Sequence, residues 1–230
     1  ELDSRGVTVG FRRVEFERTE GAPETALPYQ PIVNGEKVFI HGANWAPIHQ
    51  LYGRRWKDRY ERWVDLARRG NYNLLRVWGG GLLERPEFYD ACDRAGIMVW
   101  QEFLQSSSGI ANYPAVTREY LSYVREQATA LVRARRNHPS LVIWTGGNEL
   151  IGADNRPLDD NYPVLHLLRE VVAAEDPDRL YLATSPTGPV CGPDPNFRGA
   201  AGDVHGHWRF LGDGTHQDFY ARAEYMLHSE

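Results

Sequence analysis

The chain has 230 residues, of which 42% are hydrophobic and 25% charged, values typical of a globular protein rather than a disordered one. This length suits one large α/β domain or two small ones. A formal net charge of −5 argues against a nucleic-acid-binding surface, which needs a basic stripe. No apolar run approaches the ~18 residues that cross a membrane, and two cysteines are too few for a disulfide framework.

The amino-terminal segment differs from the rest of the chain. Residues 7–17 have the aromatic and β-branched spacing of a strand, and a polar, proline-containing run follows. A single strand is not stable alone, so we expect residues 1–27 to be the tail and linker of a preceding β domain, and residues 28–230 to form the main domain. The chain begins without an initiator methionine or signal region. Localisation is therefore unknown, with the cytoplasm as the default expectation.

From residue 32 onward, apolar strands alternate with amphipathic helices. Near-continuous apolar strands in such an alternation are parallel and buried on both faces. Glycine and proline mark several helix ends, with Pro86 in a first turn and Gly96 after a last one. The predicted strands begin near residues 38, 73, 97, 141, 180, 202 and 226, and the predicted helices cover 55–70, 85–96, 117–136 and 162–174.

Seven strands fit either a doubly wound sheet or a (β/α)8 barrel. The first strand lacks the glycine-rich turn that cradles phosphate in doubly wound folds. Polar or aromatic residues instead end nearly every strand, as expected where a barrel builds its site at the carboxyl ends of its strands. The sequence therefore predicts an α/β fold, a (β/α)8 TIM barrel that is incomplete at its C-terminus, with about seven strands present.

Two glutamates end predicted strands in the same sense. Glu149 follows the fourth strand in "LVIWTGGNEL", after Gly146 and Gly147, which we expect to let the backbone approach a ligand. Glu230 ends the seventh strand. In a barrel these strands lie nearly opposite, so the two carboxyls are predicted to face one substrate, as glycoside hydrolysis requires. The apolar neighbours of Glu149 suit a proton donor, whereas Glu230 needs a cation or hydroxyl nearby, for which Arg76 and His228 are the candidates.

Several motifs carry a family resemblance: "NGEKVFIHGANWAPI", "LLRVWGGGLLERPEFYDACDRAGIMVWQEF", "RNHPSLVIWTGGNE" and the final "HSE". Together they resemble the catalytic domain of glycoside hydrolase family 2, in particular its β-mannosidase branch, over roughly residues 31–230. The resemblance implies a retaining exo-β-glycosidase with a (β/α)8 barrel, preceded by β-sandwich domains, and with no organic cofactor. It also implies that residues 1–27 hold the last strand of such a sandwich.

The resemblance assigns roles residue by residue. It implies Glu149 as the general acid/base, Glu230 as the nucleophile, and Asn148 as a hydrogen-bonding partner of the substrate 2-hydroxyl. Side chains expected near the nonreducing sugar are Trp45, Arg76, Trp78, His205 and Trp208. Glu102 is either a third acid of the sugar pocket or a structural ion-pair partner of Arg76. The expected substrate is a terminal β-mannoside, and the expected partners are this carbohydrate and upstream β-sandwich domains, with no nucleic acid and no membrane.

Three alternatives remain open. The stretch "WQEFLQSSSG" departs from the usual "WQDF" of mannosidases, which leaves β-galactosidase, β-glucuronidase and exo-β-glucosaminidase activities possible. A non-catalytic carbohydrate-binding barrel is the competing class. "HGH" at 205–207 places two histidines on one face of a strand, but no third ligand is evident, so we predict sugar contact or packing and no metal. As an incomplete barrel, the 230-residue chain is expected to be a poor catalyst by itself.

Overall fold

The computed structural model describes residues 3, 4, 6, 8–53, 56–109, 111–192, 202–206, 208–222 and 225–230. Its main element is a five-stranded parallel sheet in the sequential order β4-β5-β6-β7-β8. Neighbouring parallel strands that follow one another in the chain are characteristic of a barrel wall. These strands are β4 (Gly42–Trp45), β5 (Leu74–Val77), β6 (Met98–Glu102), β7 (Leu141–Thr145) and β8 (Leu180–Leu182).

Helices connect the strands and cover the outer face of the sheet. The first four helices lie within four residues of the predicted bounds at each end, because their ends are marked by local signals. Pro86 opens α2, and Gly96 closes it in the left-handed conformation with φ of 69°. Thr117 caps α3 by accepting a hydrogen bond from the backbone of Tyr120. The helices are α1 (Lys57–Arg69), α2 (Pro86–Ala95), α3 (Arg118–Arg135), α4 (Pro163–Glu175) and α5 (Asp213–Ala221).

The two faces of the sheet bury different apolar sets. Leu75 and Val77 of β5 pack outward with the helices, while Leu74 packs inward with Trp100. This alternation follows from the two-residue period of a strand. Arg76 therefore points into the barrel interior, at the same level as its neighbour Trp100.

The sixth and seventh predicted strands are present as a short parallel pair. They are β9 (Asp203–Val204) and β10 (Leu227–His228). A hydrogen bond of 3.1 Å from Ser185, just after β8, to the Asp203 carboxylate links this pair to the five-stranded sheet. The seven predicted strands thus follow one another in the expected order, forming an α/β barrel wall that is incomplete between β10 and β4 in the part of the chain that is described.

A separate three-stranded antiparallel sheet precedes the barrel wall. It consists of β1 (Val14–Glu17), β2 (Gln30–Val33) and β3 (Glu36–Lys37). The strand predicted over 7–17 is shorter than expected, and it finds its partner within this chain, at β2. The assignment of residues 1–27 to a preceding β-sandwich domain stays a prediction. No helix among the described residues combines the length and the apolar character needed to cross a membrane.

Candidate active site

Arg76 is the centre of a hydrogen-bonded cluster at the carboxyl ends of the strands. Its guanidinium is almost fully buried and donates to Asn44 Oδ1 at 2.8 Å and to Asn148 Oδ1 at 2.6 Å. It also donates to Glu102 Oε1 at 2.8 Å and to Glu230 Oε2 at 2.9 Å. Four partners from four different strand ends are therefore held by one side chain, which only the barrel geometry brings together.

Glu102 is a structural partner of Arg76 rather than a pocket residue. Its side chain is fully buried, and its second oxygen accepts a 2.7 Å hydrogen bond from the backbone of Gly79. Burial raises the pKa of Glu102, while the charge of Arg76 and the Gly79 donor oppose that effect. The expectation that Glu102 contacts the sugar is therefore corrected, because no exposed surface of the side chain remains.

Charge balance explains why the buried arginine is tolerated. Desolvation by itself would lower the pKa of Arg76, but the nearby carboxylates of Glu102 and Glu230 outweigh it and raise the pKa. In return, the guanidinium donates a charge-assisted hydrogen bond to Glu230. The expected cation beside Glu230 is thus Arg76.

Glu149 is held in an uncommon backbone conformation just beyond β7. Its φ is 50°, in the left-handed region that few residues other than glycine adopt, and its backbone N–H donates to the Ser185 carbonyl at 2.6 Å. Such conformations cost about 1–3 kcal/mol and are often found at functional sites. The contact with Ser185 holds this strained residue in place.

The two glycines before Glu149 serve packing rather than ligand access. A Cβ on Gly146 would lie 2.2 Å from the Ala183 carbonyl oxygen, and one on Gly147 would lie 2.7 Å from the Gln105 carbonyl oxygen. Neighbouring backbone occupies the space where we expected a sugar. The physical reason is the close approach of the strand ends on either side of β7.

The carboxylate of Glu149 has polar neighbours, contrary to the expectation of apolar ones. His205 Nδ1 lies 3.1 Å from its Oε1, and Ser107 Oγ donates to its Oε2 at 3.0 Å. The hydrogen bond from His205 is the main reason that the pKa of Glu149 is lowered, while partial burial acts in the opposite direction. The ligand-free site therefore favours an ionised Glu149.

Glu149 and Glu230 lie close to each other, and both are beside Nδ1 of His205, which is 3.1 Å from Glu149 Oε1 and 3.7 Å from Glu230 Oε2. One oxygen of each carboxylate and one ring nitrogen of His205 all lie within 4.8 Å of one another. Both glutamate side chains are partly exposed, at 20% and 25%, whereas His205 is fully buried. Two accessible carboxylates thus lie beside each other at the carboxyl ends of the barrel strands.

The same three groups could in principle hold a metal ion. However, Arg76 already neutralises Glu230, and its positive charge would oppose a cation at this point.

A second group of potential metal ligands, formed by Asp90, Asp93 and His138, lies away from the glutamates. Hydrogen bonds from His138 and from the Ser140 backbone already occupy both oxygens of Asp93. His207, the other half of the predicted histidine pair, lies outside the described residues.

Trp45 is not part of the site. Its indole N–H donates to Glu84 at 3.0 Å, and its ring lies 4.7 Å from that of Phe88, in the layer between sheet and helices. Since Asn44 points inward to Arg76, its neighbour on the strand must point outward. Trp45 is therefore a core residue, and Asn44 is the site residue that sequence reasoning missed, although strand alternation in "GANW" contained the signal.

The remaining predicted sugar contacts are Trp78, Trp208 and His205, which differ in exposure. Trp78 is half-buried beyond β5, and its ring packs over Gly80. Trp208 is 66% exposed, with its ring over Gly206. His205 is fully buried, so its side chain contacts Glu149 rather than a substrate. The predicted contact between His205 and sugar is corrected for that reason.

Three further polar residues lie behind the glutamates, and sequence reasoning did not identify them. Asp203 is fully buried and accepts hydrogen bonds from Ser185 Oγ at 3.1 Å and from Ser229 Oγ at 2.6 Å. Both serine oxygens also lie 3.0 Å from His205 Nε2. The sequence signal was weak: Ser185 and Ser229 lie near the carboxyl ends of strands and Asp203 at the start of one, positions that many unrelated polar residues share.

A cavity of about 510 Å³ opens along the gap between β4 and β10. Arg76 and Glu230 line one end of it, and Tyr29 and Pro31 of the amino-terminal region line the other. Side chains fill the interior of a closed barrel, so this space marks the unclosed side of the wall. Glu149 does not line it, and we therefore do not treat this cavity as the sugar pocket.

Comparisons with known proteins identify the family of the chain. The family model for the TIM barrel domain of glycosyl hydrolases family 2 matches residues 29–181. Beta-mannosidase B of Thermothelomyces thermophilus is 41% identical over 151 residues, covering 65% of this chain and 17% of that protein. The beta-mannosidase of Mus musculus is 34% identical over 198 residues, covering 80% of this chain and 22% of that protein.

Solved structures give the same fold. The crystal structure of the beta-D-mannosidase from Dictyoglomus thermophilum superposes with a TM-score of 0.68 at 32% identity, over 87% of this chain and 24% of that one. A beta-glucuronidase of Parabacteroides merdae has a TM-score of 0.60 at 18% identity, over 86% of this chain and 21% of that one, and indicates the fold alone. The chain spans about a fifth of the length of these relatives. The chain belongs to glycosyl hydrolase family 2, as part of its TIM barrel domain.

Proposed function

We propose that the full-length protein carrying this chain is a retaining exo-β-glycosidase that hydrolyses terminal nonreducing β-mannosides. The observation that carries the proposal is the pair of partly exposed carboxylates, Glu149 and Glu230, with oxygens within 4.8 Å. Retaining glycosidases need their carboxyl groups about 5–5.5 Å apart, whereas inverting ones need room for a water at about 6.5–9.5 Å. The separation supports double displacement.

The surroundings of the two glutamates support different roles. Glu230 receives a charge-assisted hydrogen bond from Arg76, which balances its charge and orients it for attack on the anomeric carbon. Glu149 lies beside the imidazole of His205, a side chain that can carry a proton on Nδ1. Glu230 is therefore proposed as the nucleophile, and Glu149 as the acid that protonates the leaving oxygen and later activates water.

Asn148 and Arg76 are proposed to position the sugar. Asn148 Oδ1 accepts from Arg76 at 2.6 Å, and its amide nitrogen donates to Ser106 Oγ at 3.3 Å. These contacts fix the amide orientation beside Glu149. Because Asn148 is itself only 2% exposed, its contact with a 2-hydroxyl requires that the sugar displace the long bond to Ser106. Arg76 acts through Asn148 and Glu230, since it is almost fully buried.

The choice of mannose rests on the names of the relatives. Two sequence relatives and one solved structure above 30% identity are beta-mannosidases. The glucuronidase and exo-glucosaminidase structures at 17–18% identity support only a shared fold. A non-catalytic carbohydrate-binding barrel is the competing class. The closely spaced carboxylates disfavour it, since binding alone does not require two opposed acids.

The chain by itself is proposed to be a weak catalyst. The wall is open between β4 and β10, and the relatives are about five times longer. We propose upstream β-sandwich domains as partners of the barrel in the full-length protein, and no organic cofactor, since the two-carboxylate mechanism needs none.

A panel of aryl β-glycosides with the full-length protein tests the proposal. We expect the mannoside to be hydrolysed with retention at the anomeric carbon, and at a higher kcat/KM than the galactoside, glucuronide or glucosaminide. Glu230→Gln is expected to lower kcat by at least about 10³-fold, and Glu149→Gln by about 10²–10⁴-fold with a poor leaving group. The matched control is Glu170→Gln, an exposed glutamate on α4.

The outcomes separate the alternatives. Inversion of configuration would exclude the double-displacement mechanism. Sugar binding without hydrolysis by the wild-type protein would favour the carbohydrate-binding class. Full activity in both glutamine variants would overturn the assignment of the two acids.

A further inference from the structure

A buried chain of polar groups runs behind the two glutamates. It begins at Asp203, passes through the hydroxyls of Ser185 and Ser229, continues through both ring nitrogens of His205 and ends at Glu149 Oε1. Asp203 and His205 are both fully buried. A buried carboxylate and imidazole linked in this way exchange no protons with bulk water at their own surfaces, so their hydrogen bonds determine where protons reside.

Counting donors assigns the protons. Asp203 Oδ1 accepts from the Ser229 backbone N–H at 3.0 Å, and its Oδ2 accepts from both serine hydroxyls. Burial raises the pKa of Asp203, while the His205 and Arg76 charges and the hydrogen bonds from Ser229 and Ser185 oppose that effect. As a carboxylate, Asp203 is the strongest acceptor available to the two hydroxyl protons. With both protons directed to Asp203, the serine oxygens, which lie 2.8 Å from each other, offer only lone pairs to His205 Nε2, which must carry a proton to bond with them.

The second ring nitrogen of His205, Nδ1, shares one proton with Glu149. A neutral imidazole protonated at Nε2 has only a lone pair on Nδ1. Nδ1 lies 3.1 Å from Glu149 Oε1. An ionised carboxylate would also present only a lone pair there, so a hydrogen bond forms only if one proton lies between these two atoms.

We propose that Asp203 is a positioning residue: through Ser185 and Ser229 it keeps the proton of His205 on Nε2, so that Glu149 and His205 together retain the one proton that acid catalysis needs. The inference rests on the proposed function. The shared proton explains how Glu149 can be ionised and yet act as an acid, because the proton lies on His205 Nδ1, 3.1 Å from Glu149 Oε1.

The proton balance of both half-reactions follows. In the first, Glu149 releases the shared proton to the leaving oxygen as the glycosidic bond breaks and the bond from Glu230 to the anomeric carbon forms. In the second, a water loses a proton to the Glu149–His205 pair as its oxygen displaces Glu230. The pair is restored, and no other reactant is required.

Several charged groups surround His205. Asp203, Glu149 and Glu230 are the acidic ones, and Arg76 is the basic one, with its charge partly balanced by its neighbour Glu102. Among the described residues, Cys191, whose carbonyl accepts from the His205 backbone, and His228 are further titratable groups near the ring.

Asp203→Asn in the full-length protein tests the proposal, with kcat/KM measured against pH for two β-mannosides. The dinitrophenyl glycoside needs little acid assistance, whereas the phenyl glycoside needs it fully. We expect the basic limb of the pH profile to move to lower pH, because the carboxylate that favours the shared proton is gone. We also expect a loss of about 10²-fold for the phenyl glycoside and less than about tenfold for the dinitrophenyl one.

A purely structural role predicts a different result. It would lower kcat/KM equally for both glycosides and leave the basic limb in place, and that result would overturn the proposal. The matched control is Asp176→Asn, another buried aspartate, which accepts from Trp144 Nε1 at 2.8 Å and is outside the catalytic cluster. Its pH profile should be that of the wild type even if its stability falls.

A second measurement does not depend on turnover. Nitrogen NMR of histidine-labelled protein, assigned with a His205→Gln variant, is expected to find Nε2 protonated in the wild type at neutral pH. A neutral ring with its proton on Nδ1 would overturn the proposal. If the wild type hydrolyses no glycoside while Nε2 is protonated, the proposed function fails and the assignment of protons stands.

Discussion

The buried ion pair between Arg76 and Glu102 makes a strong prediction about stability. Replacing Arg76 with methionine removes the donor that lies 2.8 Å from Glu102 Oε1 and leaves the Gly79 backbone as the remaining donor to that carboxylate among the described residues. Because the two side chains are 2% and 0% exposed, water cannot replace the lost partner. Removing one partner of a buried pair costs about 3–5 kcal/mol, a large share of the 5–15 kcal/mol by which a domain is stable.

The assay is urea unfolding of the full-length protein, followed by tryptophan fluorescence, together with thermal unfolding. A loss of about 3–5 kcal/mol corresponds to a fall of roughly 6–20 °C in the midpoint for a unit of this size. The double variant Arg76→Met/Glu102→Gln is expected to be more stable than Arg76→Met alone, since it leaves no unpaired charge at position 102.

A matched control uses a pair of the same residue types at the surface. Arg125 and Glu170 lie 2.7 Å apart but are 52% and 49% exposed. Arg125→Met is therefore expected to change stability by less than about 1 kcal/mol. The reasoning is refuted if Arg76→Met costs no more than this control, or if adding Glu102→Gln to it restores nothing.

Two further predictions concern the supports of the site. Gly146→Ala places a Cβ 2.2 Å from the Ala183 carbonyl oxygen, so the free energy of unfolding should fall by at least about 2 kcal/mol. The control Gly214→Ala, which has open space in helix α5, should leave it unchanged or raise it slightly. Equal effects of the two substitutions in urea unfolding would contradict the packing argument. Asp93 accepts from His138 and from Ser140, which lower its pKa although partial burial raises it. A lowered pKa gives stability that is present above the unfolded-state value and is lost as pH falls through the folded-state value. The free energy of unfolding of Asp93→Asn should therefore be about 1–3 kcal/mol below that of the wild type at pH 7. This difference should shrink below about pH 4. A constant difference from pH 7 to pH 3 in urea unfolding would refute the reasoning.

Local signals in the sequence determined the framework of the domain. Pro86 and Gly96 marked the ends of α2, because their backbone preferences act without distant partners. Apolar strands ending in polar residues predicted a barrel, and the seven strands follow one another in the expected order. The motifs around Glu149 and Glu230 likewise pointed to the family that the comparisons established.

Only the tertiary structure decided which side chains share the site. Strand register turned Asn44 inward and Trp45 outward, a one-residue difference that composition does not reveal. The contacts of Asp203 with Ser185 and Ser229 join residues 18 and 26 positions apart. The sequence placed Ser185 and Ser229 near the carboxyl ends of two strands and Asp203 at the start of another. Their hydrogen bonds exist only because the parallel strands bring these residues together, and burial then requires each polar group to find its partners within the protein.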